Sequence, residues 1–442
     1  MKREGKVITF YSYKGGTGRT MSLANVACYF AQRGNRVLVI DWDLEAPSLH
    51  QYFEEFCDKK LLQETEGLIE FIKTFEKIYQ EEYLKIGATA DMLAEPSEPY
   101  GDEEDFIDVY LKKTFSRYLV GIKNIGNLHL LKAGKQFDRE YSTTIETFDW
   151  RAFHQMEPYF FECFAQFLKQ EFDYVFIDSR TGLTDTAGIC TTLMPEHLVL
   201  VFTPNKQSLD GVLDAARNAI QYRIDYDDEI RPLLIYPLPS RIEEGEEDLR
   251  EKWKREYKEK FKNLFIDIYK LTEKDLKDSF FDEYFNKIYI KHSSKYSYGE
   301  ELSILEANAN DPFYLSYYYR EFSEILEKGV PIWTMSRFED AKRVNTLVTK
   351  EFEINSTDKR VEVLISSAYD DRTHNPEIEL TKFLNPLQRT SIINIRQKNY
   401  IRKVKSIAES IDIAVILVNN DYFVNTDSWY IMQRIIREAK NK

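Results

Sequence analysis

Residues 6–50, KVITFYSYKGGTGRTMSLANVACYFAQRGNRVLVIDWDLEAPSLH, decide how this chain is read. Residues 6–12 (KVITFYS) form a short, mostly apolar run of the kind that makes a buried strand. Glycines follow at 15, 16 and 18. From Met21 to Arg33 the apolar residues Leu23, Val26, Ala27 and Phe30 recur at helical spacing, and Gly34-Asn35 stops the pattern. Arg36–Asp41 (RVLVID) is a second apolar run. Strand, glycine loop, helix and strand in this order predict a parallel pairing with a crossover.

Runs of the same kind recur at Leu128–Leu131, Tyr174–Asp178, Leu198–Phe202, Leu233–Tyr236 and Lys287–Ile290, separated by helical stretches. The expected fold is α/β, a mostly parallel sheet flanked by helices, over residues 1–335. Two helical insertions, about 55–125 and 242–285, interrupt it. The first carries the acidic loop EPSEPYGDEED and the second is densely charged. Such runs read as solvated helix faces or as a partner-binding lid over the sheet edge. A linking helix is expected at 336–354. A second, smaller α/β module is expected at 355–442, where fourteen Lys/Arg stand against eleven Asp/Glu, about +3, leaving about −17 for the rest.

The whole chain has 442 residues and a net charge of −14, which disfavours general attraction to nucleic acid or anionic lipid. Its four cysteines, Cys28, Cys57, Cys163 and Cys190, form no C-x-x-C pair, so a zinc ribbon or paired-thiol cluster is not indicated. No apolar run approaches the roughly 18 residues of a membrane span. The short charged start MKREGK leads directly into a strand and is too short for a signal peptide. Cytoplasmic location with reduced thiols is the expectation.

The loop Lys14-Gly15-Gly16-Thr17-Gly18-Arg19-Thr20 carries the chemistry. Its glycines let successive N–H groups turn toward phosphate oxygens, and the next helix adds its positive end. Thr20, at the helix start beside Met21, is placed to ligate Mg²⁺. Acidic partners lie downstream. Asp41 and Asp43 stand in VLVIDWDLEAPS, where one can hold a magnesium-bound water and the other orient the attacking water. Asp178 closes the strand of FDYVFIDSRTG and is the expected magnesium-side carboxylate. Gly182 is expected to offer its N–H to a γ-phosphate. Each of these acids taken singly also reads as a strand-end carboxylate capping a helix.

Lys14 followed by Gly-Gly-x-Gly, with Asp-x-Asp after the second strand, resembles the deviant Walker A ATPases of the MinD/ParA type. The resemblance implies ATP and Mg²⁺ as cofactors and a homodimer closed over two nucleotides. It implies that Lys14 reaches the partner's phosphates, with Asp43 and Asp178 as the other catalytic residues. Gly15, Gly16, Thr17, Gly18, Arg19, Thr20, Met21, Asp41, Gly182, Arg180 and Arg241 would bind the nucleotide, and Thr20, Asp41 and Asp178 the metal. Arg19 departs from the family's usual lysine. It keeps the charge but presents a planar, bulkier fork. KGGTGRT with VIDWDLEAPSLH and IDSRTGLTDTAGIC resembles a subgroup that carries this arginine and accompanies bacterial signalling and anti-phage defence systems. Arg180 reads either as a γ-phosphate sensor or as a surface arginine paired with Asp185. Asn205, Gln207 and Arg241 are further residues for approach to the nucleotide.

The carboxyl-terminal stretches VEVLISSAYDD, FLNPLQR and DIAVILVNNDYF resemble a TIR domain. An NAD-cleaving member would carry a glutamate on the last helix, where this sequence has Met432 and Gln433, with Glu438 too late. A binding or self-association module is therefore expected ahead of an NAD hydrolase. Lys382, Arg389, Arg396, Lys398, Arg402, Lys403 and Lys405 form a basic stretch that suits a protein partner ahead of a nucleic acid. The amphipathic segment 429–442 is expected to pack on protein and not to bind membrane. The reading is thus an ATP-controlled dimerisation switch that engages a partner through the TIR-like module or the helical insertions. An ATPase-gated NAD hydrolase and a positioning or partitioning ATPase are the alternatives.

Overall fold

The computed structural model describes residues 5–89, 106–136, 139–182, 184–226, 233–269, 271, 276, 278–306, 309–329 and 332, with three further segments, 361–367, 390–396 and 413–417. The acidic loop 95–105, the linking segment 336–354, most of the basic stretch 381–408 and the segment 429–442 lie outside the described residues. Contacts divide the chain into two compact units, Met1–Val348 and Thr349–Lys442.

The first unit is built on one eight-stranded sheet. Its strands are β1 (Lys6–Tyr11), β2 (Arg36–Asp41), β3 (Val120–Ile122), β4 (Asn127–Leu131), β5 (Tyr174–Asp178), β6 (His197–Phe202), β7 (Leu234–Ile242) and β8 (Ile290–Lys291). They lie in the order β3-β4-β2-β5-β1-β6-β7-β8. All neighbours run parallel except β3 against β4. The α/β fold with a mostly parallel sheet flanked by helices is therefore present. The edge strand β3 escaped the sequence reading because it is three residues long and has Gly121 at its centre. β7 is longer than expected: it continues through Pro237 and Pro239 to Ile242.

Strand residues alternate between two apolar cores, as a period of two requires. Ile8, Phe10, Val37, Val39 and Phe176 face one core, with the helices Arg19–Gln32, Lys206–Tyr226, Glu247–Tyr269 and Leu315–Lys328. Val7, Leu38, Ile40, Val175 and Ile177 face the other, with the helices Leu68–Thr89, Phe106–Thr114 and Phe160–Glu171. In the helix Leu68–Thr89, Leu68, Ile69, Phe71, Ile72 and Phe75 are fully buried, while Lys73, Lys77 and Glu81 are exposed. In Glu247–Tyr269 the buried face is Tyr257, Phe261, Leu264 and Phe265, at helical spacing.

His197, at the start of β6, is 4 % exposed and lies against the Tyr236 ring. Burial, and then the charge of Lys6, lower its pKa from 6.5 to about 3. As pH falls through this window the unfolded chain takes up a proton that the native chain refuses. Stability therefore falls with decreasing pH, by at most about 1.4 kcal/mol per pH unit. Urea titrations at pH 7 and pH 5 should show this acid slope in the parent, and His197→Phe should flatten it. An unchanged slope in the variant would mean that other groups carry it.

The second unit contains a three-stranded parallel sheet of β9 (Val361–Ser367), β10 (Thr390–Arg396) and β11 (Ile413–Leu417) in the order β10-β9-β11.

Candidate functional site

The site lies where β1, β2 and β5 end side by side. β5 is central between β2 and β1, so Phe10 and Asp41 both stand level with Asp178. Backbone bonds hold the strand tips together: Trp42 N–H donates to the Asp178 carbonyl at 2.9 Å, and Ser179 N–H to that of Phe10 at 3.2 Å. Three carboxylates, Asp41, Asp43 and Asp178, are thereby delivered to one edge, next to the glycine loop.

The loop leaves β1 through Ser12, whose hydroxyl donates to the Lys14 carbonyl at 2.9 Å. Gly18 caps the helix Arg19–Gln32 with a φ of 84°, a left-handed conformation that side chains resist. A Cβ there would also stand 3.2 Å from the Ser240 hydroxyl oxygen. The cap has no side-chain bond and the first turn has no acidic residue, so the helix keeps its positive end bare toward the loop. Thr17 is 2 % exposed, and its hydroxyl is buried without a partner. Gly15 and Gly16 are exposed and Lys14 is half-buried. Among the described residues the Lys14 ammonium makes no hydrogen bond or ion pair.

Arg19 is 6 % exposed. Its Nε donates to Asp178 Oδ1 at 2.5 Å and its Nη2 to Asp43 Oδ2 at 2.9 Å. Its third nitrogen, Nη1, is buried with no partner. The sequence reading turned this arginine toward phosphate alone; the structure shows two of its nitrogens on carboxylates. Thr20 Oγ1 donates to Asp178 Oδ2 at 2.7 Å. Burial works against the charge of Arg19, but Asp178 and Asp43 outweigh it and hold the guanidinium protonated. Burial likewise raises the Asp178 carboxyl above its ordinary range, against the pull of Arg19 and Thr20.

Asp41 is fully buried, and burial, then the charge of Asp178, push it well above the usual carboxylate range. It accepts from the amides of Leu49 at 3.1 Å and Asp43 at 3.3 Å, which ties down the loop after β2. Asp43 and Asp178 thus share one guanidinium, and Asp41 stands level with Asp178 on the neighbouring strand. Among the described residues no three His, Cys, Asp or Glu side chains are arranged to hold a metal by themselves.

Gly182 has a φ of 77°, and its carbonyl accepts from the Tyr11 hydroxyl at 3.2 Å. Arg180 pairs with Glu45 at 2.5 Å, which joins the loop after β5 to the loop after β2. A cavity of about 280 Å³ opens beside the glycine loop and is walled by Gly18, Met21, Tyr52, Ser240, Arg241 and Tyr296, among others. Arg241 stands at an irregular point of the β7–β8 pairing with a φ of 56°. The buried hydroxyl of Ser240 is unpartnered. Asn205 serves elsewhere: its side chain accepts from Ser208 N–H at 2.9 Å and caps the helix Lys206–Tyr226. Gln207 is exposed on that helix.

The structure thus brings together Arg19, Thr20, Asp41, Asp43 and Asp178, and places Met21 and Arg241 on one cavity wall. Sequence reasoning missed Tyr11, Glu45, Tyr52 and Ser240. Only Ser240, adjoining Arg241 in PLPSR, carried a local signal. It also missed Asn25, buried in the helix Arg19–Gln32, whose side-chain oxygen accepts from Ser303 Oγ at 3.0 Å and Ile304 N–H at 2.9 Å.

Over 44 residues the chain is 50 % identical to an uncharacterised ATP-binding protein of Methanocaldococcus jannaschii; the match covers 10 % of this chain and 17 % of that protein. Among solved structures it is similar to a plasmid partition protein from Borrelia burgdorferi, at 16 % identity and a TM-score of 0.42. It is also similar to the cell division ATPase MinD of Pyrococcus furiosus, at 16 % identity and a TM-score of 0.41. Each of these two likenesses covers 74 % of this chain and all of the other. The family model described as the CobQ/CobB/MinD/ParA nucleotide binding domain matches residues 8–419, past the boundary between the two units. A match of that extent, over a glycine loop set against three strand-tip carboxylates, means that the chain belongs to the CobQ/CobB/MinD/ParA family of P-loop nucleotide-binding proteins.

Proposed function

We propose that the chain is an ATP-binding, slowly hydrolysing dimerisation switch. The observation that carries this reading is the junction at the strand tips. There Arg19, Thr20, Asp43 and Asp178 converge on a glycine loop whose buried donors Thr17 Oγ1 and Arg19 Nη1 are left over for an anion. Loop amides and the bare helix end receive phosphate oxygens. Thr20, Asp41 and Asp178 are the residues that would hold Mg²⁺. The metal, when bound, neutralises charge building on the phosphate oxygens. Asp43 orients the attacking water, Gly182 and Arg180 read the terminal phosphate, and Met21 and Arg241 border the nucleoside cavity.

Lys14, half-buried on the loop, is assigned to the phosphates of a second copy, and this couples nucleotide to dimer. The dimer is relayed to a protein partner through the carboxyl-terminal module or the helical insertions. The parallel order β10-β9-β11 supports a flavodoxin-like, TIR-like sheet, in which the second strand lies outside the first. Bacterial signalling or anti-phage defence in the cytoplasm is the setting implied by the loop motif, with nucleic acid and membrane disfavoured as partners. No disulfide joins the four cysteines, and among the described residues no helix is long and apolar enough to cross a membrane.

Light scattering of the full chain tests the switch. With Mg–ATP the mass should double, and Lys14→Ala should stay monomeric while binding a fluorescent ATP analogue within about tenfold of the parent. A variant that dimerises like the parent sinks the coupling. A parent chain that binds no Mg–ATP sinks the whole reading.

A further inference from the structure

We propose that Arg19 is a positioning residue that fixes the Asp43 carboxylate and makes its orientation depend on phosphate. This deepens the ATP-switch reading and rests on it. The guanidinium has three nitrogens, and each faces a different direction. Nε is taken by Asp178 on β5 and Nη2 by Asp43 in the loop after β2, while Nη1 is buried and unpartnered. That third nitrogen belongs to a residue 6 % exposed, so bulk solvent does not reach it. A phosphate oxygen supplies the missing acceptor. One rigid, planar group then touches a phosphate, the carboxylate beside Thr20 and the water-orienting carboxylate together.

Asp43 is fixed at both ends. Its amide donates to Asp41 Oδ1 at 3.3 Å, and its carboxylate is held by Nη2 at 2.9 Å. The side chain is 14 % exposed, so Arg19 is its main neighbour of opposite charge. A lysine at this position has one nitrogen on a flexible stem. It can meet a phosphate or Asp178, but it cannot hold Asp43 in the same plane. The loop's arginine is therefore required for orientation more than for charge.

The test compares Arg19→Lys, Asp43→Asn and the double variant in the full chain, with Mg–ATP affinity by titration calorimetry and turnover by phosphate release. Arg19→Lys should keep Mg–ATP affinity within about fivefold and lose about 100-fold in kcat. Asp43→Asn should lose a similar factor in kcat at unchanged affinity. The double variant should be no slower than the worse single one within about threefold, because both remove the same orientation. Multiplying losses would overturn the proposal. So would a lysine variant with parental turnover, or one that no longer binds Mg–ATP, since Arg19 would then act on phosphate alone. Should Arg19→Lys not fold, Asp43→Ala decides, because it spares the Arg19–Asp178 pair. A kcat loss of about 100-fold at unchanged KM supports the role, and turnover within threefold of the parent overturns it. Failure of the parent to bind Mg–ATP is a separate result and would strike the ATP reading itself.

Discussion

Asp178→Ala is expected to destabilise the first unit by about 3–5 kcal/mol, the cost of leaving a buried charge without its partner. The Asp178 side chain is 1 % exposed and sits 2.5 Å from Arg19 Nε, while also accepting from Thr20. Its removal leaves a protonated guanidinium facing only Asp43, in surroundings that water does not reach. Asp178→Asn keeps an acceptor at the same place and should lose about half as much. Urea denaturation at neutral pH reads both. An alanine variant within 1 kcal/mol of the parent would mean that the guanidinium escapes to solvent, and that the junction at the strand tips is not rigid.

The second large effect lies in the core on the other face of the sheet. Phe71 is fully buried, and its ring centroid stands 5.2–5.6 Å from those of Tyr110, Phe115, Tyr118 and Phe164. Its carbonyl also accepts from the Tyr110 hydroxyl at 2.6 Å. Phe71→Ala removes the ring that joins the helix Leu68–Thr89 to the helices Phe106–Thr114 and Phe160–Glu171. The expected cost is about 3–5 kcal/mol, made of lost transfer energy and of the cavity left behind. The urea midpoint should fall with an unchanged slope. A loss under 1 kcal/mol would show that this aromatic layer collapses around the gap.

The two sites differ in how visible they were. β1, the loop and β2 could be placed because an apolar run bounded by glycines has few other uses. The strands β5 and β6 followed for the same reason. Asp41, Asp43 and Asp178 could be named because each ends or follows such a run. What Arg19 does with them could not, since hydrogen-bond direction is a tertiary property. Asp178 lies 159 residues away from it in the chain. Arg180 illustrates the limit: its pair with Glu45, from another loop, carries no local signal in the sequence. Tyr11 looked like an ordinary strand residue, and only the packed sheet shows its hydroxyl on the Gly182 carbonyl. The helix Leu68–Thr89 was legible as amphipathic. That its apolar stripe belongs to one of the two main cores was not, because periodicity says which face is buried and not against what. The resemblance of the carboxyl-terminal module to a TIR domain rests on motifs, and most of their residues lie outside the described segments.

The margins of the sheet limit edge-to-edge joining. One border is the three-residue β3, turned antiparallel, and the other is the two-residue β8. Borders so short offer an incoming chain only a few unsatisfied amides and carbonyls, which guards against open-ended stacking into fibrils. The dimer proposed above would therefore have to form elsewhere than along the flanks of the sheet.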